Sequence, residues 1–319
     1  IETADFKNGK LIELLNGNLG KYDGASQWET DSEGSGYPVP SGAAAGGGGG
    51  GGDDIDKPLI RILVIGNSYS EDGVEDYLWD LLYEAGYNAV IGNAYISGCS
   101  LQEHWEREIS TDDKRKNYNS YRKIVSGVKS TKADKSLEYI LQDEPWEYVA
   151  FQQGRGAGGV VDSHYPYLDY LIEYVGRYLK KGTYKLGYQM LWGYPKNSTQ
   201  DFFFKYYDGD QMKMWKACAD CAKTLKERSG LDFIVPVGTA IQNGRTTSLG
   251  DTFNRDAIHL LKSYGRYTAA CTWAGLLSGK DVTTFSYRPY NVTESQAILC
   301  RKAAQQAIVS PYSVTEIKD

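Results

Sequence analysis

Residues 61–70 read RILVIGNSYS, an apolar run that stops at Gly66 and passes directly into polar residues. A short run rich in Ile and Val is typical of a strand that is buried on both faces of a sheet. The following residues, 74–85, carry Leu78 and Leu81 among other apolar side chains at helical spacing. The stretch therefore predicts a strand, a sharp turn and a helix, which is the repeating unit of α/β folds.

The same alternation of strands and helices continues along the chain. Besides 61–65, strands are predicted at 88–96, 147–152, 185–192 and 231–236. Further helices are predicted at 163–180, 210–228, 263–278 and 293–308, and Gly230 is expected to end the second of these as a C-cap. Strands separated by helices of this length imply right-handed crossovers and a parallel sheet with both faces covered. We predict a three-layer α/β/α fold with a five-stranded, mainly parallel sheet.

The first 52 residues differ from the rest of the chain. Residues 1–40 are polar and rich in turn formers, with a short hairpin expected around 10–17, and residues 46–52 are seven consecutive glycines. Holding such a glycine run in one fixed conformation would cost much conformational entropy. It is either a linker to a tethered pair of strands or an artificial segment. We predict an atypical N-terminal segment at 1–52 and one catalytic domain at 53–319.

Composition excludes several classes of partner. The chain has 319 residues, a formal net charge of −6 and a pI of about 5.3, which argues against a nucleic-acid partner because phosphate binding needs a basic surface. No apolar run of about eighteen residues exists, so no membrane span is predicted. The first residues show no signal peptide, which processing would remove. We expect an exported protein of the bacterial periplasm or cell surface. The sequence does not predict the oligomeric state.

Neither a metal nor a cofactor is predicted. The five cysteines are an odd number without the spacing of a disulfide framework. Cys218 and Cys221 form a C-x-x-C inside a helical pattern, which we interpret as two thiols on a buried helix face rather than a redox site. No second cysteine pair or histidine cluster accompanies them. There is no Walker A motif and no dinucleotide fingerprint after the first strand.

Polar and glycine-rich clusters follow all five predicted strands. In parallel sheets, ligands bind outside the carboxyl ends of the strands. The clusters are Ser68, 97–100, 152–156, 192–194 and 237–238, the last leading on to 256–259. Residues 154–159 are interpreted as a loop that allows a ligand to approach the backbone closely.

Three of these polar residues are the parts of an activated serine nucleophile. Ser68 follows the first strand, and Asp256 precedes His259, one of only three histidines, by three residues. On one turn, Asp256 can hold the Nδ1 side of the imidazole while Nε2 faces Ser68. Taken singly, Ser68 is also a candidate N-cap of the next helix, and His259 a surface or core histidine. The ordered combination favours the triad.

These motifs resemble those of the SGNH (GDSL-like) hydrolase superfamily. Residues 66–68, Gly-Asn-Ser, are similar to its Gly-Asp-Ser block, Gly98 follows the second strand as the second-block glycine does, and 256–259 match the closing Asp-x-x-His. The longer strings 66–70, 97–101 and 151–153 are similar to a poorly characterised, Bacteroidetes-rich branch, and the resemblance covers about 58–310. It implies a flavodoxin-like fold, Ser68 as nucleophile, His259 as general base and acid, and Asp256 as its orienting carboxylate.

The resemblance also implies an oxyanion hole, in which this sequence departs from the family. The backbone N–H groups of Ser68 and Gly98 would be two donors. The third-block asparagine is absent, and the amide of Gln153, or less favourably Gln152, is expected to replace it. Losing one such donor typically costs about a hundred- to a thousandfold in rate. Asn67 replaces the first-block aspartate, which is not a triad member.

The predicted function is a serine esterase that acts on a carbohydrate O-acetyl group. No long apolar groove is evident, and aromatic residues are plentiful near strand ends. Possible substrate-binding residues are Asn67, Gln152, His104, Trp192 and Tyr194. One alternative is a catalytically weak or inactive carbohydrate-binding protein on the same fold, favoured by the missing asparagine. A second alternative is a lipase- or thioesterase-like hydrolase.

Overall fold

A computed structural model describes residues 28–30, 38–40, 57–112, 114, 119–179 and 182–319. The hairpin predicted around 10–17 and the glycine run lie outside the described residues. The chain divides into two compact units, Ile1–Lys57 and Pro58–Asp319. In the first unit, β1 (Trp28–Thr30) pairs antiparallel with β2 (Pro38–Pro40). The second unit contains the main sheet.

The main sheet is mixed and has seven strands within the described residues. They are β3 (Leu59–Gly66), β4 (Asn88–Tyr95), β5 (Asn119–Val125), β6 (Val128–Lys135), β7 (Tyr148–Phe151), β8 (Lys185–Gln189) and β9 (Phe233–Val235). Their order is β6-β5-β4-β3-β7-β8-β9, with β4, β3, β7, β8 and β9 parallel and β5 and β6 antiparallel at one edge. The α/β class is confirmed, and the predicted count of five strands was wrong.

The two unpredicted strands form a polar hairpin. β6 reads VKSTKADK and is exposed along almost its whole length, so it lacks the apolar signal of a buried strand. The hairpin turn is Ser126-Gly127, and both residues have positive φ, 49° and 72°. Two left-handed residues in succession match the twist of a two-residue hairpin turn.

Ten α-helices surround the sheet in the described part of the second unit. They are α1 (Ser68–Val74), α2 (Leu78–Glu84), α3 (Leu101–Glu108), α4 (Leu137–Asp143), α5 (Tyr167–Tyr178), α6 (Asp201–Tyr207), α7 (Gln211–Ser229), α8 (Val237–Gly244), α9 (Tyr264–Ser278) and α10 (Glu294–Val309). α2 lies within the helix predicted at 74–85, and Tyr77, at φ 63°, separates it from α1. Gly230 ends α7 in the left-handed conformation, as predicted.

The central strand is buried on both sides. Residues 62–65 of β3 are all fully buried. Because successive side chains of a strand point to opposite faces, helices must cover both faces of the sheet.

Among the described residues, no helix combines the length and apolar character needed to cross a membrane.

The strand order indicates where a ligand is expected to bind. The five parallel strands, numbered along the chain, run 2-1-3-4-5 across the sheet, which is the flavodoxin-like order. After β3 the chain goes to β4 on one side, and β7 pairs with the other side of β3. The carboxyl ends of β3 and β7 therefore border the point where the strand order reverses, where ligands bind in such sheets.

Candidate active site

Ser68 is the first residue of α1, two residues beyond the end of β3. Asn67 is the N-cap, and its Oδ1 accepts a hydrogen bond from the N–H of Tyr69 at 2.9 Å. Asn67 Nδ2 donates to the carbonyl of Cys99 at 2.8 Å, which ties the turn after β3 to the turn after β4. The alternative in which Ser68 caps the helix is wrong, since Asn67 has that role and the Ser68 hydroxyl is left for another partner.

That partner is His259. Ser68 Oγ lies 2.8 Å from Nε2 of His259, although 191 positions separate the two residues in the sequence. On the other side of the ring, Nδ1 lies 2.9 Å from Oδ2 and 3.1 Å from Oδ1 of Asp256. The hydroxyl, the imidazole and the carboxylate thus form one continuous hydrogen-bonded chain.

Asp256 is held as a charged, oriented carboxylate. Its Oδ1 accepts the backbone N–H of His259 at 2.7 Å and that of Ile258 at 2.9 Å. Partial burial opposes ionisation, but these bonds and the imidazole of His259 lower the pKa of Asp256. A carboxylate on Nδ1 fixes that proton there, so Nε2 presents its lone pair to the serine hydroxyl.

The segment that carries His259 is fastened at several points. A β-bridge joins Asn254 to Leu260. Trp192 Nε1 donates to the carbonyl of Ile258 at 2.8 Å. The backbone N–H of Leu260 donates to Oδ2 of Asp72 at 2.7 Å. The imidazole is therefore positioned by backbone bonds on both sides of its own residue.

Asp72 connects this segment to α1, the helix that begins at Ser68. It lies four residues after Ser68 on α1, and its side chain is fully buried. Arg255 Nη1 donates to Oδ1 of Asp72 at 2.9 Å, and Arg266 Nε donates to the same atom at 2.8 Å. Burial raises the pKa of Asp72, and the two guanidinium groups act in the opposite direction. The sequence analysis missed all three residues, although Arg255 directly precedes Asp256.

The two expected backbone donors, the N–H groups of Ser68 and Gly98, lie in the turns after β3 and β4. Ser68 begins α1, and the first-turn N–H groups of a helix have no acceptor within it. Gly98 is exposed, with φ at 61°, in the loop after β4. Its carbonyl accepts a hydrogen bond from Arg155 Nε at 3.0 Å, which holds the orientation of this loop.

The expected third donor is engaged elsewhere. Gln153 Nε2 donates to the carbonyl of Ser163 at 2.8 Å and to its hydroxyl at 3.2 Å, and Oε1 accepts the N–H of Leu101 at 3.0 Å. Gln152 is fully buried, and its Nε2 donates to the Gln153 carbonyl. The expectation of a side-chain amide aimed at the oxyanion is not met in this structure, because both amides bind their own loop.

The five possible substrate-binding residues lie beneath the surface. Asn67, Gln152, His104, Trp192 and Tyr194 are all at most 2% exposed. His104 Nε2 lies 2.9 Å from the carbonyl of Gly66, and burial lowers the pKa of His104 to about 4. The Tyr194 hydroxyl binds that of Tyr69, whose ring packs edge-on against Trp192. These side chains support the turn before Ser68 and the histidine segment, and their burial does not fit the prediction that they bind substrate.

The glycine loop also packs against the chain itself. A Cβ at Gly154 would lie 2.2 Å from the carbonyl oxygen of Cys99, and one at Gly158 would lie 2.8 Å from Cβ of Leu191. The glycines therefore allow neighbouring backbone and side chains to approach, which corrects the interpretation that they make room for a ligand.

Across the described ranges, no group of three or more His, Cys, Asp or Glu is arranged to hold a metal ion.

Comparison with known proteins shows to which family the chain is similar. The family described as "Domain of unknown function (DUF4886)" matches residues 61–307. The structure is similar to a DUF4886 family protein from Bacteroides uniformis, with 38% identity and a TM-score of 0.77, over 81% of this chain and 98% of that chain.

More distant likenesses involve hydrolases. A protein assigned to the SGNH hydrolases, from Slackia heliotrinireducens, has 17% identity and a TM-score of 0.42, over 68% of this chain and 97% of that chain. A catalytic mutant of an acetylxylan esterase from Geobacillus stearothermophilus has 14% identity and a TM-score of 0.43, over 72% of this chain and 96% of that chain. None of the curated proteins matches the sequence. On the family match and the 38% identical relative, this chain belongs to the DUF4886 family.

Proposed function

We propose that this protein is a serine hydrolase of the SGNH type that cleaves an ester by acyl transfer. The observation that carries the proposal is the chain of hydrogen bonds from Ser68 Oγ through His259 to Asp256, with 2.8 Å between Oγ and Nε2. That distance is within the range expected of a nucleophile and its general base. The position of Ser68 at the reversal of the strand order supports access by a ligand.

In the proposed first half-reaction, Ser68 Oγ attacks the ester carbonyl and His259 Nε2 takes the hydroxyl proton. The backbone N–H groups of Ser68 and Gly98 stabilise the negative charge on the carbonyl oxygen. His259 then gives the proton to the departing alcohol, and the acyl group remains on Ser68. In the second half, water replaces the alcohol and the carboxylic acid leaves, which regenerates the free hydroxyl.

The substrate proposed is an O-acetylated carbohydrate. Trp192 and Tyr194 are buried and cannot stack against a sugar, so the support comes from the exposed residues around Ser68, here called the rim. Ser97, Gly98 and Arg155 are exposed beside the turn of the nucleophile, and the Arg155 side chain is 55% exposed. A polar rim favours a short acyl group over a long apolar chain, because burying apolar surface there would desolvate charged and polar groups.

Hydrolysis of p-nitrophenyl acetate by the wild type and by Ser68→Ala tests the proposal. The matched control is Ser130→Ala, which removes an exposed hydroxyl on β6. We expect turnover in the wild type and the control and its loss in Ser68→Ala. Equal turnover in all three proteins would exclude the serine mechanism. Faster hydrolysis of the octanoyl ester than of the acetyl ester would favour the lipase-like alternative.

A second candidate function is a carbohydrate-binding protein with weak or no catalysis. The attachment of Gln153 Nε2 to Ser163 favours it, because the oxyanion hole then has two backbone donors and no side-chain donor. Binding of glycans without covalent labelling of Ser68 by a fluorophosphonate would support this candidate over the esterase.

A further inference from the structure

A cavity of about 320 Å³ lies between the end of β4 and the hairpin formed by β5 and β6. Its lining consists of Tyr95, Ile96, Ser97, Ser120, Ala133 and Asp134. The volume falls within the range of small-molecule sites, about 300–1,000 Å³. None of these residues except Ser97 has a role in the proposed acyl transfer or its rim.

The cavity is next to the turn of the nucleophile. Tyr95 pairs with Gly66 in the parallel ladder, and the N–H of Ile96 donates to the Gly66 carbonyl at 3.2 Å. Ser97 lies two residues beyond Tyr95, as Ser68 lies two residues beyond Gly66. Neighbouring strands are about 4.8 Å apart, so the two turns run side by side.

The cavity also lies on the face of the sheet that α1 covers. Partners in a ladder share a face, and the pairs here are Asn93 with Arg122 and Tyr95 with Ser120. Arg122 donates to Glu71 of α1 at 2.8 Å, and Asn93 Oδ1 accepts from the hydroxyl of another α1 residue at 2.9 Å. Because alternate residues of a strand share a face, Tyr95 and Ser120 stand on the side of the nucleophile helix.

A β-bulge shapes the outer wall. Tyr121 pairs with Lys132 and Asn119 with Lys135, so Ala133 and Asp134 together oppose the single residue between. Asp134 has φ at 55°, a left-handed conformation that glycine adopts without strain. Bulges next to active sites re-aim side chains, and this bulge places the Asp134 carboxylate on the cavity. Glycine would adopt the same backbone conformation without strain, but it would bring no carboxylate to the cavity.

The chemistry of the lining fits a hydroxyl-rich, uncharged ligand. Tyr95 supplies an aromatic ring, one face of which is covered by the Arg122 guanidinium at 3.5 Å from its centroid, so only the other face and the edge are left for a ligand. Ser97 and Ser120 supply hydroxyls that donate and accept, and Asp134 supplies an acceptor. No Lys or Arg lines the cavity, and the carboxylate would repel an anionic ligand.

We propose that this cavity is the subsite for the alcohol part of the ester, and that this part is a neutral sugar ring. The inference rests on the proposed esterase function. Packing against the part of Tyr95 that Arg122 leaves uncovered and hydrogen bonds to Ser97, Ser120 and Asp134 hold the sugar ring while the acetyl group reaches Ser68. The hairpin of β5 and β6 is then the element that determines substrate class.

The first experiment compares glucose pentaacetate with p-nitrophenyl acetate. Ala133→Trp fills the cavity from its exposed wall, and Ser130→Trp places the same indole on the same strand outside it. We expect the ratio of kcat/KM for the sugar ester to that for the nitrophenyl ester to fall at least tenfold in Ala133→Trp and by less than twofold in Ser130→Trp. An unchanged ratio in Ala133→Trp would overturn the inference.

A second experiment does not depend on catalysis. Saturation-transfer NMR with methyl glucoside is recorded on Ser68→Ala alone and combined with Ala133→Trp or Ser130→Trp. Loss of the sugar signal only with Ala133→Trp supports the subsite even if the wild type hydrolyses no ester, an outcome that would reject the proposed function alone. A sugar signal that survives Ala133→Trp, or the absence of any signal in Ser68→Ala, overturns the subsite.

Discussion

Removal of the Asp72 carboxylate should damage both stability and catalysis. Its side chain is fully buried and binds the Leu260 N–H, Arg255 and Arg266. Taking one partner from a buried ion pair typically costs 3–5 kcal/mol because a charge remains uncompensated. Arg266 keeps two other carboxylates, Asp76 at 2.6 Å and Glu71 at 2.9 Å, and the Arg255 side chain is 25% exposed. The expected loss for Asp72→Ala is therefore at the lower end, about 3 kcal/mol.

Urea denaturation of Asp72→Ala measures that loss, and p-nitrophenyl acetate turnover measures the effect on the active site. The Leu260 N–H fixes the residue after His259, so we expect kcat to fall at least tenfold while the protein still folds. Asp76→Ala is the control, since its carboxylate also binds Arg266 but is 33% exposed. We expect it to lose less than about 1 kcal/mol. Equal stability losses in the two variants, with kcat unaffected, would refute the claim that Asp72 couples the helix to the histidine segment.

The remaining predictions concern the carboxylate of the triad and a buried histidine. Asp256→Asn should lower kcat by about 10³-fold or more, because an amide facing His259 Nδ1 no longer fixes the productive tautomer, while the urea midpoint changes little. Burial lowers the pKa of His104 to about 4, so below about pH 6.5 the unfolded chain gains a proton that the folded chain does not. The free energy of unfolding should therefore fall as the pH drops from 6.5 towards 4. The variant His104→Gln keeps a donor for the Gly66 carbonyl but cannot titrate. It should reduce the slope of the urea-derived free energy of unfolding against pH by up to about 1.4 kcal/mol per pH unit. An identical slope in His104→Gln would contradict the neutral, buried state of this ring.

The parallel strands were predictable because burial on both faces leaves a continuous apolar signal. Residues 62–65 are such a run, and the predicted and observed ranges of β3 and β4 overlap closely. β5 and β6 escaped detection because they form an edge of the sheet, where one face or both contact solvent and Lys and Thr are tolerated. The Ser126-Gly127 turn was the one local signal for this hairpin.

The sequence order and element positions were enough to bring Ser68, Asp256 and His259 together, because chain topology fixes which loops meet at a sheet edge. The orientation of Gln153 was beyond prediction, since it depends on the carbonyl and hydroxyl of Ser163 ten residues away. The burial of Trp192 was equally beyond prediction, because a loop residue after a strand can point inward or outward with the same sequence pattern.

The proposed mechanism depends on Ser68 being a nucleophile that His259 activates. Intact-mass and peptide mass spectrometry after reaction with a fluorophosphonate tests it directly, in the wild type, Ser68→Ala and His259→Ala. We expect one covalent adduct on the peptide that contains Ser68 in the wild type, none at that peptide in Ser68→Ala, and labelling at least a hundredfold slower in His259→Ala. A wild type that stays unlabelled, or a Ser68→Ala variant labelled at the wild-type rate, would contradict it.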